Sequence, residues 1–105
     1  MINTLKSLFG MGTPVDFKEL KSQGAILVDV RSKGEYSGGH IKGSVNIPLD
    51  VLTKNLDKLK NKETPIITCC ASGMRSGSAK SILQSKGFVS VHNGGGWQSL
   101  QNKLK

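Results

Sequence analysis

The sequence contains few acidic residues, few aromatic residues, only two cysteines and no long apolar run. Its longest apolar runs have only four or five residues, as in Ala25-Ile26-Leu27-Val28, whereas a membrane-spanning helix needs about 20 consecutive apolar residues. Residues 1–10 also lack the long apolar block and the small-residue cleavage site of a secretion signal. The sequence therefore predicts a cytoplasmic protein without a membrane partner.

Basic residues outnumber acidic ones by fifteen to seven, which gives a formal net charge of +8 at pH 7. Such an excess attracts anions, including nucleic acids. Proteins that bind single strands interleave basic residues with aromatic stacking platforms. The aromatic residues here are widely separated, namely Phe9, Phe17, Tyr36, Phe88 and Trp97. We therefore predict no nucleic-acid partner, and we interpret the lysines between positions 54 and 62 as a solvated face.

The two cysteines, Cys69 and Cys70, are adjacent. Neighbouring side chains on a strand point to opposite faces of the sheet, so a disulfide between these two residues would be strained. Two thiols are also too few for a structural zinc site. We interpret Cys69 as core packing, with a resolving thiol as the alternative.

The order of predicted elements indicates one α/β domain over residues 13–105, preceded by an extension over residues 1–12 that forms a short helix or a tail. Thr13-Pro14 predicts the start of a first helix, which Gly24 ends. Gly94-Gly95-Gly96 is expected to break the last strand. Strands are predicted at 25–31, 44–47, 66–70 and 88–91, and helices at 49–60, at 76–85 and from Trp97 onward. This alternation predicts a mostly parallel sheet, which binds ligands at the carboxyl ends of its strands.

The segment Cys70-Ala71-Ser72-Gly73-Met74-Arg75-Ser76 places a thiol at the end of a predicted strand, before a short loop and a helix start. Backbone N–H groups of such a loop can point inward and bind an anion beside the positive end of the helix. Both features stabilise a thiolate, so Cys70 is the predicted nucleophile. Gly73 permits an unusual backbone conformation, Arg75 supplies donors for an anion, and Ser76 is interpreted as a helix cap. The alternative is a buried, unreactive Cys70 and a surface Arg75.

Several motifs resemble those of the rhodanese-domain family, in the family's order and spacing. They are Asp29-Val30-Arg31, Glu35-Tyr36, Gly39-His40-Ile41-Lys42-Gly43-Ser44, Asn46-Ile47-Pro48-Leu49, the loop just described, and Asn93-Gly94-Gly95-Gly96-Trp97. The resemblance extends from about residue 15 to residue 104. It implies a five-stranded, mostly parallel sheet with helices on both faces. It also implies a single-domain sulfurtransferase whose loop cysteine takes sulfur from a small anionic donor such as thiosulfate.

The resemblance further implies that Cys70 holds the sulfur as a persulfide and passes it to a thiol or to cyanide. No metal and no organic cofactor is implied. The implied substrate-binding residues are Ala71, Ser72, Gly73, Met74, Arg75 and Ser76, with the loop amides facing the anionic sulfur and Arg75 facing the sulfonate end of the donor. Asp29, Arg31, Glu35 and His40 border the site in the family.

We interpret these four bordering residues as supporting the site rather than reacting in it. Arg31 and Glu35 are predicted to form an ion pair, and Asp29 and His40 are predicted to be hydrogen-bonded loop anchors. His92 and Trp97 are interpreted as packing or surface residues.

Other functions of the same domain remain as alternatives. One is a non-catalytic persulfide carrier or protein-interaction module, in which Cys70 passes sulfur to a partner protein. A phosphatase or arsenate reductase is disfavoured, because those relatives have five residues between cysteine and arginine, whereas here residues 71–74 are four. The two-domain thiosulfate enzymes of the family carry basic residues where this chain has Ala71 and Ser72. The resemblance therefore does not fix the identity of the sulfur donor. We expect a monomer, because no surplus apolar stripe is evident.

Overall fold

The computed structural model describes residues 15–105. Its helices are α1 (Phe17–Ser22), α2 (Lys33–Ser37), α3 (Met74–Ser85) and α4 (Trp97–Lys103). Its strands are β1 (Ile26–Asp29), β2 (Val45–Asn46), β3 (Ile66–Cys70) and β4 (Val91–Gly96), and two 3₁₀ helices, Leu49–Lys54 and Leu56–Leu59, lie between β2 and β3. None of these helices has the length and apolar character required to cross a membrane. The predicted extension over residues 1–12, together with Thr13 and Pro14, lies outside the described residues.

The strands form a parallel sheet in the order β2-β1-β3-β4. The predicted α/β class, with a parallel sheet between helices, is confirmed, although the sheet has four strands within residues 15–105 rather than the five implied by the resemblance. In a parallel sheet the carboxyl ends of the strands meet at one edge. The segments that follow β1, β3 and β4 therefore lie close together.

The side chains of the sheet divide between two cores, one on each face. The core that contains Cys70 is covered by α3 and the 3₁₀ helices, and the core that contains Cys69 is covered by α1 and α4. All five residues of β3 are buried. Alternation along this strand therefore places the two adjacent sulfur atoms on opposite faces of the sheet, as strand geometry predicts.

The helix predicted over residues 49–60 is wrong in type, because the structure has two 3₁₀ helices there. Asn55 separates them, and its side-chain amide donates to the carbonyl of Val51 at 2.8 Å. Such a side-chain bond competes with the backbone hydrogen bonds that would continue a helix. Leu52 and Leu59 still reach the core and are fully buried, so the periodic leucines identify the buried face correctly.

The last strand also differs from its prediction. The glycines at 94–96 belong to β4 rather than ending it, and the strand begins only at Val91. A Cβ on Gly94 would lie within 2.8–2.9 Å of Leu100, Ile67 and the carbonyl of Thr68. Glycine is present because neighbouring elements pack directly against the strand backbone, which is a recognised reason for glycine inside a strand.

The first two helices start at polar caps. The cap of α1 is Asp16, whose carboxylate accepts from the Glu19 amide at 3.0 Å, whereas the prediction placed the start at Thr13. Sequence analysis did not predict α2, which begins with a capping box between Ser32 and Glu35. This short helix brings Glu35 to the edge of the sheet where β3 ends.

Candidate active site

Cys70 lies at the carboxyl end of β3, beside the first turn of α3, and its side chain is 1% exposed. The Gly73 amide donates to Cys70 Sγ at 2.9 Å and the Ser76 amide donates at 3.4 Å. Gly73 has a φ of +104°, in the left-handed region that favours glycine, which allows the loop to turn back toward the sulfur. The sulfur is therefore at the N-terminal end of a 12-residue helix, where an anion is stabilised.

The pKa of the Cys70 thiol lies below its ordinary value. Burial is the largest single influence and acts in the opposite direction, because it disfavours the anion. Hydrogen bonds from the Ser76 side chain and from the amides of Ser76, Gly73 and Ser72 together outweigh burial. The loop thus makes Cys70 more readily ionised than a free cysteine, which is the property that a sulfur nucleophile needs.

Cys69 has the opposite electrostatic environment. Its side chain is fully buried in the second core, and burial, assisted by the negative charge of Asp29, raises its pKa to about 12. Cys69 therefore remains a protonated thiol at neutral pH. This position fits the interpretation of Cys69 as core packing.

Arg75 forms a bidentate ion pair with Glu35. Its Nη1 and Nη2 atoms donate to the two carboxylate oxygens at 2.7 and 2.9 Å, and each side chain is 39% exposed. The hydrogen bond from Arg75, together with that from the Ser32 amide, lowers the pKa of Glu35 to about 2. The ion pair connects the start of α3 to α2 and offsets much of the Arg75 charge.

The predicted ion pair between Arg31 and Glu35 is wrong, because Arg31 pairs with Asp29. Arg31 Nε donates to Asp29 Oδ1 at 2.9 Å, and Arg31 Nη2 donates to Asp29 Oδ2 at 2.7 Å. Both side chains are buried. The two residues are separated by one position at the end of β1, so their side chains leave the chain on the same side. Glu35 instead faces Ser32 and Arg75.

The Asp29–Arg31 pair is part of a wider network behind the site. Arg31 also donates to the carbonyl oxygens of Gly39, at 2.7 Å, and Glu35, at 3.3 Å. Its guanidinium lies 4.8 Å from the centroid of the Trp97 ring, which is within the range of a cation–π contact. Trp97, to which sequence analysis assigned no specific role, therefore connects α4 to the segment after β1.

His40 lies in the same segment and contacts Tyr36. The two rings stack at 3.7 Å, and His40 Nδ1 is 2.7 Å from the carbonyl oxygen of Tyr36. Tyr36 in turn donates its hydroxyl to the carbonyl of Ser44 at 2.6 Å. His40 thus has the contacts of a loop anchor.

The segment Asn93-Gly94-Gly95-Gly96 makes three contacts with the cysteine loop that were not predicted from the sequence. Asn93 Oδ1 accepts from Ser76 Oγ at 2.6 Å, and Asn93 Nδ2 donates to the carbonyl of Gly73 at 3.1 Å. A Cβ on Gly96 would lie 2.9 Å from the carbonyl oxygen of Ala71. The run of glycines was the available signal, because glycine inside a strand marks close backbone approach.

The outer side of the cysteine loop faces solvent. Ala71 and Ser72 are exposed, and Met74 is 82% exposed. A cleft of about 680 Å³ borders the start of α3, and Lys33 and Arg75 provide its cationic groups. The other residues that line the cleft are Val30, Ser32, Pro48, Leu49, Asp50 and Val51. Within residues 15–105, no three His, Cys, Asp or Glu side chains come together as metal ligands would.

Comparison with known proteins identifies the family. The model of the Rhodanese-like domain family matches residues 13–103. Protein YqhL of Bacillus subtilis is 35% identical over 82 residues, which are 77% of this chain and 64% of that protein. Thiosulfate sulfurtransferase PspE of Escherichia coli is 34% identical over 74 residues, covering 70% of this chain and 71% of the relative. For thiosulfate sulfurtransferase GlpE of Pseudomonas fluorescens the identity is 33% over 80 residues, with coverages of 76% and 72%.

Solved structures agree with this assignment. A rhodanese from E. coli, determined with anions, superposes with a TM-score of 0.67 at 33% identity, over 71% of this chain and 89% of that chain. Human single-domain sulfurtransferase TSTD1 shares the fold, with a TM-score of 0.71 at 24% identity over 90% of this chain and 99% of that chain. The chain therefore belongs to the rhodanese-like domain family and is, at the level of this family, a sulfurtransferase.

Proposed function

We propose that this protein transfers a sulfane sulfur atom through a persulfide on Cys70. The observation that carries the proposal is the environment of the Cys70 sulfur, which receives hydrogen bonds from the Gly73 and Ser76 amides at the start of α3. These donors stabilise a thiolate and equally a persulfide anion. The relatives PspE and GlpE, which are thiosulfate sulfurtransferases, support thiosulfate as a donor.

In the first half-reaction the Cys70 thiolate attacks the outer sulfur of thiosulfate. The new bond joins Cys70 Sγ to that sulfur, while the S–S bond of the donor breaks and its electron pair leaves with sulfite. In the second half-reaction an acceptor thiolate or cyanide attacks the outer sulfur of the persulfide. The Sγ–S bond then breaks, and Cys70 returns as a thiolate. Neither half-reaction uses a metal or an organic cofactor.

The loop residues have separate roles in this proposal. Gly73 and Ser76 stabilise the sulfur anion, while the small, exposed Ala71 and Ser72 leave room for the donor. Arg75 directs those N–H groups that Glu35 does not occupy toward the sulfonate end of the donor. Met74 lies at the outer rim of the loop. Asp29, Arg31, Glu35 and His40 hold the surrounding segments in place.

The test is the intact mass of the protein before and after incubation with thiosulfate, with peptide mapping under non-reducing conditions. We expect the gain of one sulfur atom on Cys70. The Cys70→Ser variant should gain none, whereas Cys69→Ser, the matched control on the other face of β3, should still be labelled. Labelling of Cys70→Ser and loss of labelling in Cys69→Ser would show that the nucleophile is misassigned.

A second candidate is a persulfide carrier that serves a partner protein. The exposure of Met74 beside the loop favours it, because an apolar side chain in this position is available for protein contact. A carrier would pass sulfur from loaded Cys70 to a protein thiol but not to cyanide or a small thiol. Sulfur transfer assays with cyanide and a small thiol as acceptors therefore separate the two candidates. Hydrolysis of an aryl phosphate would instead favour the phosphatase alternative, which the four-residue loop opposes.

A further inference from the structure

The Ser76 hydroxyl lies between two groups that can accept its proton. Its Oγ atom is 3.4 Å from Cys70 Sγ and 2.6 Å from Asn93 Oδ1, and Ser76 is fully buried. A hydroxyl has a single proton to donate. While Cys70 is a thiol, it can donate to Ser76 Oγ, which in turn donates to Asn93. When Cys70 is ionised, the hydroxyl can stabilise the sulfur only by turning away from Asn93.

The orientation of the Asn93 amide is fixed by its neighbours. Asn93 Oδ1 also accepts from the Gly95 amide at 2.9 Å, and Asn93 Nδ2 donates to the carbonyl of Gly73 at 3.1 Å. A reversed amide would place its NH₂ group against the Gly95 N–H and its oxygen against the Gly73 carbonyl. Asn93 Oδ1 is therefore a fixed acceptor, and it keeps its bond with Gly95 when the Ser76 hydroxyl turns away.

We propose that Asn93 is a positioning residue that competes with the Cys70 sulfur for the Ser76 proton and thereby limits how strongly this hydroxyl stabilises the sulfur anion. Its relevance to catalysis rests on the proposed role of Cys70 as the nucleophile. The intrinsic nucleophilicity of a thiolate falls as its basicity falls, whereas a less basic thiolate is a better leaving group. Asn93 thus keeps the sulfur basic enough to attack the donor, and makes it a poorer leaving group in the second half-reaction.

The charged and titratable groups around Cys70 are the same in every variant considered below except Asn93→Asp, which adds a carboxylate beside Ser76. The positive charge of Arg75, at the start of α3, is offset by Glu35, which forms an ion pair with it. Cys69, the neighbour on β3, stays protonated because burial raises its pKa to about 12. The Asp29–Arg31 pair lies on the Cys69 side of the sheet, and its two charges offset each other.

The pH dependence of Cys70 alkylation by iodoacetamide tests the proposal without any sulfur donor. We expect the apparent pKa of Cys70 to fall by about 0.5 to 1 in Asn93→Ala, because the freed hydroxyl can donate to the thiolate. Asn93→Ser, whose Oγ replaces the Cγ of asparagine and so ends one bond short of the present acceptor, should change the pKa in the same direction by a smaller amount. Asn93→Asp keeps the acceptor and adds a negative charge, and both oppose ionisation of the thiol, so its Cys70 pKa should equal or exceed that of the parent. An unchanged or raised pKa in Asn93→Ala would overturn the proposal.

A double-mutant cycle shows whether Asn93 acts through Ser76. Ser76→Ala should raise the Cys70 pKa, because it removes a donor to the thiolate, and Asn93→Ala should cause no further fall in that background. An equal fall with and without Ser76 would contradict the proposal. Ser78→Ala changes an exposed serine of the same helix and is the control, for which we expect the parent pKa.

The two half-reactions should respond in opposite directions. At a pH where Cys70 is fully ionised, Asn93→Ala should react with thiosulfate about two- to threefold more slowly and should release persulfide sulfur to an acceptor faster than the parent. Slower release of persulfide sulfur by Asn93→Ala than by the parent would contradict the proposed competition between Asn93 and the Cys70 sulfur for the Ser76 proton. If alkylation follows the prediction but thiosulfate loads no variant, the proposed sulfur transfer fails while the role of Asn93 at the thiol stands.

Discussion

At the scale of single residues, Glu35 links two helices that both border the site. Its carboxylate accepts from the Ser32 amide at 3.0 Å within the capping box of α2 and from both terminal nitrogens of Arg75 at the start of α3. These bonds lower its pKa to about 2. Glu35 therefore remains ionised, and the link to Arg75 intact, at neutral pH.

This link predicts a specific response to acid. The pKa of Glu35 is lower in the folded protein than its ordinary 4.5, so its stabilising effect is present above about pH 4.5 and is lost as the pH falls toward about 2. In Glu35→Gln the free energy of unfolding should therefore decline less over this range than in the parent. Chemical denaturation at pH 5 and pH 3 measures the difference, which should shrink at high salt because the pair is partly exposed.

Arg75→Gln provides the matched control for this prediction. In that background the Glu35→Gln substitution should have a smaller effect on the acid dependence, since the main partner of the carboxylate is gone. Identical acid dependence in Glu35→Gln and the parent would contradict the assigned role of the pair.

The two cysteines should differ sharply in reactivity. We expect brief treatment of the native protein with iodoacetamide at neutral pH to modify Cys70 and not Cys69, because the pKa of Cys70 is lowered and that of Cys69 is about 12. Tandem mass spectrometry of the peptide that contains both residues locates the modification. In denaturant both residues should react, and equal modification in the native protein would show that the loop does not activate Cys70.

Sequence reasoning located the reactive segment but not every partner within it. Cys70 and its loop were recognisable because a thiol between a strand and a helix start has a direct electrostatic meaning. The partner of Arg31 was not recognisable from the sequence, because the choice between Asp29 and Glu35 depends on the direction of each side chain after β1. The contact between Asn93 and Ser76 was equally hidden, since it joins residues 17 positions apart through the register of β3 and β4.

At the scale of elements, β4 supports the cysteine loop through close backbone packing as well as through the side chain of Asn93. Gly94 packs against Leu100, Ile67 and the carbonyl of Thr68, and Gly96 packs against Ala71. This close approach lets Asn93 reach over the loop. The support is therefore sensitive to the addition of a single methyl group.

The glycines of β4 and α2 should respond in opposite ways to substitution by alanine. Gly94→Ala should lower the free energy of unfolding by about 1–3 kcal/mol, because the new Cβ overlaps packed neighbours. Gly34→Ala, within α2, meets nothing within 4 Å and should be neutral or stabilising by up to about 1 kcal/mol. Urea denaturation of the two variants measures both effects. Equal stability of Gly94→Ala and the parent would show that the strand can move away from its neighbours.

The elements that were predictable are those whose burial is complete and continuous. β3 was predicted with its observed bounds, 66–70, because every residue in it faces a core. The 3₁₀ helices were not distinguishable from an α-helix, because their leucines have helical spacing while Asn55 interrupts the backbone pattern. β4 was displaced because a run of glycines ordinarily indicates a turn, and only the packing of α4 and the loop explains it here.

At the scale of the whole molecule, the site is assembled from three distant parts of the chain. Glu35 follows β1, Cys70 ends β3, and Asn93 lies in β4. The parallel order of the strands brings these parts to one edge of the sheet. This arrangement was predictable in outline from the alternation of strands and helices, although the strand order was not.

We expect the protein to be a monomer in solution. Between residues 15 and 105, the exposed large apolar side chains are Val15, Met74 and Val89, on three separate segments of the chain. The net charge of +8 also disfavours self-association at low salt. Size-exclusion chromatography with light scattering should give a mass near 11.2 kDa, and a stable mass of twice that value would contradict the expectation.

Cys69 and Cys70 also provide the molecule with two internal reporters of its folding equilibrium. In the native state the loop activates Cys70, while the core on the other face of β3 protects Cys69. Unfolding removes both environments together, so Cys70 loses its activation as Cys69 loses its protection. The labelling rate of Cys70 thus follows the population of native molecules, and the labelling rate of Cys69 follows the frequency with which the core opens. Two neighbouring sulfur atoms record both sides of the equilibrium in one experiment.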